Sequence, residues 1–278
     1  MHKSIMYLFG CILLILTGCS EPITSSNSSY KLEQVFCIKL PVSDFLSYPC
    51  AYLPFQYQSN EYKDPKVVQR VDNESRRIWK EIHAKMQLTT PYIPMVVYGS
   101  LMNPTSAKST LKEYHPHAVW LHDYIRIYNL DTRLLGGSSR LTDLDGKDNH
   151  AALNLKYAPG KNCNGLILAI GEDDFVACRR READYDCIPV VVSDYVPSGQ
   201  CTHRSVAYAW IAGDQACTDH VLPLKGYYSM IWEGITSDNV KESFGEHFSE
   251  DYLETTFLAD GRSVKTIHDE YKEAPIRY

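Results

Sequence analysis

Hydrophobic and polar positions change rhythm several times along the chain, and each change predicts an element. "PKVVQRVDNESRRIWKEIHAKM" (65–86) opens on a proline and spaces its apolar residues among charges. Val68, Val71, Ile78 and Ile82 fall close to one stripe, which predicts an amphipathic helix packed on the domain C-terminal to it. From residue 92 the period shortens. "IPMVVYG" is apolar and β-branched, the signature of a strand, and "NPTSAKSTLKEY" after it predicts a short helix or turn. "AVWLHDYIRIYNL" predicts a second strand, residues 131–149 a long polar loop, and "AALNLKYAP" and "CNGLILAI" two further strands. "EDDFVACRRREADY" predicts a helix of about three turns. "IPVVVSDY" and "HRSVAYAWIAG" are expected as strands, and "KGYYSMIWEGITS" and "SEDYLETTFLADG" as helices. There is no internal repeat. The simplest organisation is one mixed α/β domain from about residue 90 to 270, preceded by an extension.

The N-terminus follows a different rule. His2 and Lys3 precede "IMYLFGCILLILTGC", whose length and flanks predict a secretory signal rather than a stable membrane span. It ends in Leu16-Thr17-Gly18-Cys19, which resembles the bacterial lipoprotein lipobox. That resemblance implies cleavage before Cys19, acylation of its thiol and new amine, and a membrane-anchored protein of the cell envelope. Ser20 after the cysteine points to the outer membrane. The expected divisions are a signal peptide at 1–18, a Ser-rich tether at 19–35, an extension at 36–90 with one helix, and the main domain at 91–278.

Composition narrows the function classes. The 278 residues are 44% hydrophobic and 22% charged, as in an ordinary globular protein, and the net charge is -6. No basic block stands out, which argues against a nucleic-acid partner. The 20 tyrosines suit a wet cleft as well as a core, since each pairs an apolar body with a hydroxyl. Nine cysteines occur; without Cys11 and Cys19 an odd number remains, leaving at least one thiol unpaired. Proximity alone suggests Cys37–Cys50 and Cys201–Cys217 as disulfides.

Two segments carry candidate chemistry. In "VVYGSLMNP" a glycine follows a strand, where it lets the backbone approach a ligand closely. Consecutive N–H groups of Gly99, Ser100 and Leu101 at such a turn can form a nest for a carboxylate. In "ACRRREADYDCIPVVV", Glu182 ends a helix just before a strand. Pairing with Arg179 to Arg181 would lower its pKa and burial would raise it, as a general base requires. Taken alone, the turn is a common α/β feature and the glutamate can equally stay solvated.

Together with "AVWLHDYIRIYN", "AALNLKYAPGKNCNGLILAI" and "PLKGYYSMIWEGI", taken in this order over residues 92–260, these segments resemble the γ-glutamylcyclotransferase-like superfamily. The resemblance implies an α+β fold, a small mixed β-barrel flanked by helices with the glycine turn at its open end. It also implies a reaction on a small γ-glutamyl substrate, whose α-amine attacks its own γ-carbonyl to give 5-oxoproline and a released amine. The nucleophile belongs to the substrate, so neither metal nor cofactor is called for. Glu182 is then the acid/base, the Gly99, Ser100 and Leu101 amides hold the α-carboxylate or the developing oxyanion, and Tyr98, Tyr185 and Tyr227 line the pocket. The N-terminal extension and the 131–149 insertion depart from the minimal family domain.

Other constellations are weaker. "DLDGKD" lacks the glycine spacing of an EF-type calcium loop. His115, His117 and His122 have no supporting carboxylate or cysteine spacing for a metal site. "GGSSR" is not the G-x-S-x-G elbow of a serine hydrolase. The competing reading from another class is a lipid-anchored binding module that keeps the fold with Glu182 structural.

Overall fold

The structure, a computed structural model, describes residues 64–134, 149–182, 185–196, 203–213 and 217–276. Expectations for the signal peptide, Cys19, the tether, residues 36–60, Cys37, Cys50, Cys201, "GGSSR" and "DLDGKD" lie outside the described residues.

Helix α1 (Pro65–Lys85) starts where the sequence places it: Asp64 caps it by accepting the Lys66 N–H at 2.9 Å, and Pro65 occupies its first turn. Val71, Ser75, Ile78, Trp79 and Ile82 form its buried face, with Val68 half-buried at the margin. The Trp79 indole N–H donates to Ile170 O at 3.1 Å. Ile78, Trp79 and Ile82 thereby join the same core as the strands of the barrel.

β1 (Ile93–Val97) is buried at every position. Covered on both sides, it needs the continuous apolar run seen in its sequence rather than an alternation. It lies antiparallel to β3 (Asn149–Ile170) and parallel to β5 (Arg204–Ala212). A short 3₁₀ turn (Ser100–Met102) and α2 (Pro104–Lys108) come next, the latter capped by the Asn103 side chain at Thr105 N and Ser106 N.

β2 (His117–Asp131) and β3 pair antiparallel along most of their length. The residue pattern predicts two strands in place of β3, with a break near Pro159-Gly160. The strand instead continues through an irregularity opposite Asp123, which has φ of 64° and accepts the Gly160 N–H at 2.8 Å. The turn residues thus build a bulge, not a strand end. β4 (Tyr185–Asp194) pairs with β5 and with β2. Neighbours run β3-β1-β5-β4-β2, and the β2–β3 pairing closes the ring. The fold is therefore the expected one, a small mixed barrel flanked by helices.

α3 (Glu172–Arg181) connects β3 to β4, with acids in its first turn and arginines in its last, as the helix dipole favours. β6 (Leu222–Pro223) extends the sheet beside β3 and leads into α4 (Lys225–Ile235). α5 (Asp238–Phe244) and α6 (His247–Thr255) come after it. The helix expected over "SEDYLETTFLADG" stops at Thr255. Thr256–Leu258 forms β7, because β2 offers a backbone edge at Arg126–Tyr128. α7 (His268–Tyr271) ends the described chain. Cys163, Cys178 and Cys187 are buried thiols, while the expected Cys201–Cys217 pairing involves Cys201, outside the described residues.

Candidate functional site

The turn after β1 is shaped by room more than by backbone angle. Gly99 has φ of -128° and ψ of -135°, so its φ is not in the left-handed region. A Cβ there, however, would stand 2.8 Å from the Tyr227 hydroxyl oxygen. Leu101 and Met102, 4% and 0% exposed, anchor the turn in the core, which explains an apolar pair where turns are usually polar. Met102 N–H bonds Gly99 O at 2.8 Å and Asn103 N–H bonds Ser100 O at 3.1 Å. The N–H groups of Gly99, Ser100 and Leu101 have no backbone acceptor among the described residues, as expected at the start of a helical turn.

Glu182 caps the C-terminus of α3, its own N–H bonding Cys178 O at 2.7 Å. Its side chain is 17% exposed. The three preceding arginines go three ways. Arg179 is buried and donates to the backbone carbonyls of Glu182 at 2.9 Å and Tyr185 at 3.3 Å. Arg180 leaves for Asp72 on α1. Arg181 turns inward, with Nε 3.5 Å from a Glu182 carboxylate oxygen. Its Nη2 donates to the hydroxyls of Ser100 and Ser106, each at 2.8 Å, and Nη1 to Thr110 Oγ1 at 2.9 Å and Ser106 O at 3.0 Å. One planar guanidinium thus ties the glycine turn and α2 to the end of α3.

The glycine turn and Glu182 share one small pocket of about 40 Å³ that opens to solvent. Tyr98, Gly99, Ser100, Leu101, Glu182, Tyr185 and Tyr227, all singled out from sequence, line it together. Val96 and Val97 of β1, Leu153 and Trp210 complete the walls, and no sequence motif marks the last two. Tyr98 donates its hydroxyl to Trp210 O, and Tyr185 donates to Leu153 O at 2.9 Å. Burial pushes the Tyr98 and Tyr227 phenols up, and the nearby Glu182 charge adds to both. Both therefore stay protonated at neutral pH, able to donate but not to act as phenolate bases.

The histidines do not converge. His115 is exposed, His117 Nε2 meets Asp194 Oδ1 at 3.2 Å, and His122 sits between Asn162 Oδ1 at 3.0 Å and Ser193 Oγ at 2.9 Å. Among the described residues no group of three or more His, Cys, Asp or Glu is placed to hold a metal ion.

No family model and no curated protein matches the chain. Among solved structures, an uncharacterized protein from Homo sapiens is 14% identical, with a TM-score of 0.43 over 66% of this chain and all of its own. A γ-glutamyl cyclotransferase is 14% identical, with a TM-score of 0.44 over 66% of this chain and 99% of its own. A γ-glutamyl cyclotransferase specific to glutathione, from yeast, is 15% identical, with a TM-score of 0.38 over 60% of this chain and 96% of its own. Solved structures similar to this chain thus include γ-glutamyl cyclotransferases.

Proposed function

We propose that the protein is a cyclotransferase that converts a γ-glutamyl amine or peptide to 5-oxoproline and the released amine. One observation carries the reading: Glu182 and the Gly99–Leu101 turn, whose amides lack backbone acceptors among the described residues, line the same small pocket. That pairing supplies what intramolecular aminolysis needs. The substrate's α-nitrogen forms a bond to the carbonyl carbon (Cδ) of its own γ-amide while Glu182 takes a proton from that nitrogen. The carbonyl oxygen becomes an oxyanion. The C–N bond to the leaving amine then breaks, and Glu182 returns the proton to the departing nitrogen. Holding the glutamyl chain in a folded shape exploits an effective molarity that reaches about 10⁵–10⁸ M. Proton transfer through a placed carboxylate contributes roughly 10²–10⁴-fold, and an amide aimed at the oxyanion about 10²–10³-fold. Arg181 holds the turn and Glu182 in register.

The test is direct. The full-length protein, purified in detergent, is incubated with γ-glutamyl dipeptides, glutathione and γ-glutamyl amines, and 5-oxoproline is read by mass spectrometry. Product from the native protein and none from Glu182→Gln is the expected result. Equal product from both would remove Glu182 from its role. No product with any substrate would favour the binding module. Lipid anchoring at Cys19 belongs to the same proposal, because it would put the site outside the cytoplasm, where γ-linked cell-wall peptides become candidate substrates. Cys19→Ser is expected to move the protein from the membrane fraction to the soluble one, and an unchanged distribution would refute the anchor.

A further inference from the structure

Arg126, in the middle of β2, is 0% exposed. Its Nε donates to Thr256 Oγ1 at 3.0 Å and its Nη2 to Asn164 Oδ1 at 2.6 Å and Thr255 Oγ1 at 3.4 Å. The guanidinium carbon lies 4.1 Å from the centre of the Tyr252 ring. Nη1 reaches the carbonyl of Tyr98 at 3.5 Å and Met102 Sδ at 3.9 Å, so the charge sits directly behind the turn that carries the Gly99–Leu101 amides. Every polar partner is neutral. Among the described residues no carboxylate pairs with it, and the C-terminal end of α6 offers only partial negative charge through Thr255 and Thr256.

The arginines near the site differ in this respect. Arg180 meets Asp72, Arg181 meets Glu182, and the Arg179 charge acts on Asp186. A wholly buried cation without a counter-charge is costly to hold in the interior, and its hydrogen bonds to Asn164, Thr255 and Thr256 offset part of that cost. Its field is little screened in the interior. Between that charge and the pocket lies the turn, whose residues Tyr98 to Leu101 line the pocket and whose Gly99–Leu101 amides have no backbone acceptor among the described residues.

We infer that Arg126 is the positioning residue that sets the pocket's specificity: its unmatched charge behind the Gly99–Leu101 turn selects ligands bearing a carboxylate there. On the γ-glutamyl reading, on which this rests, that group is the substrate's α-carboxylate. The ligand supplies the missing counter-ion, through the turn rather than by direct contact.

The experiment compares a γ-glutamyl dipeptide with its α-carboxamide analogue as substrates, and 5-oxoproline with 5-oxoprolinamide as ligands in calorimetry. Native protein, Arg126→Met and Arg126→Lys are run with thermal melts alongside. The native protein is expected to prefer the carboxylate member of each pair at least tenfold. Arg126→Met should lose most of that preference by weakening only the carboxylate compounds, under conditions where the melts show it folded, and Arg126→Lys should recover part of it. A native protein indifferent to the carboxylate overturns the inference, whatever the variants do. An equal loss on both members of a pair also overturns it, pointing to a structural role or to the oxyanion instead. If the native protein turns over neither substrate but binds 5-oxoproline over the amide in an Arg126-dependent way, the inference stands and the cyclotransferase reading falls. Neither turnover nor binding ends both.

Discussion

A methyl group on Gly99 would press on the Tyr227 hydroxyl, so that oxygen and the turn hold their places only together. Gly99→Ala is expected to lower 5-oxoproline formation at least tenfold, and to do much less further damage in a Tyr227→Phe background. A double-mutant cycle reads this, and additive losses would show that the clash is not the cause. His122 gives a prediction of another kind. Burial first, and the Arg204 charge second, hold its pKa below the usual 6.5. The neutral ring is thus favoured in the folded state, while the unfolded chain takes up the proton. The resulting stability is present above about pH 6.5 and lost as the pH falls below it. The urea midpoint should drop between pH 7 and pH 5, and His122→Gln should flatten part of that slope. His268, lowered in the same direction, keeps the rest. An unchanged slope in the variant would rule out His122 as a source. The residues legible in the sequence were those on a contiguous motif, the turn and the Arg-Glu segment. Trp210 and Arg126 were not, nor was the reach of Arg181 to Ser100 and Ser106, since these depend on which strands and turns meet in space.

Helix α1 is where the boundary drawn from sequence matters most. Ile78, Trp79 and Ile82 are core residues of the barrel. Each such side chain contributes about 1.5–3 kcal/mol on burial, and a domain's whole margin is only about 5–15 kcal/mol. A chain begun at residue 87 should therefore lose its cooperative thermal transition, and an unchanged melt would show the helix dispensable. At the other end of the site, a Cβ on Gly234 of α4 would stand 2.5 Å from the Asn103 Cα, backbone that cannot swing aside. Gly234→Ala should cost about 1–3 kcal/mol by urea titration, and a neutral result would mean the helix can slide. Element types were legible wherever local rhythm decides them, as in α1 and β1. They failed where distant partners decide. Asp123 turns an apparent break at Gly160 into a bulge, and the edge of β2 draws Thr256–Leu258 out of a helix.

Over the whole molecule, the order of segments along the chain implied the barrel, while its closure and the thiol chemistry needed coordinates. Cys163, Cys178 and Cys187 are buried, and burial pushes their thiols up, that of Cys163 to about 11. Thiolate is the reactive form. Iodoacetamide at pH 7 should leave all three unlabelled in the native protein and label them in urea, and native labelling, read by mass spectrometry, would contradict the packing. The ring has a final consequence, in time. β1 pairs with Leu166–Ile170 on one side and with Tyr208 and Ala209 on the other, and the Tyr98 hydroxyl is tied to Trp210. Contacts this distant in sequence make folding slow. A growing chain holds an apolar, half-paired strand until β5 has been made. During that interval another copy of the chain competes with its own β5 for the open edge. The speed of synthesis and the local crowd of nascent copies, more than the stability of the finished barrel, then govern how much of the protein reaches its native form.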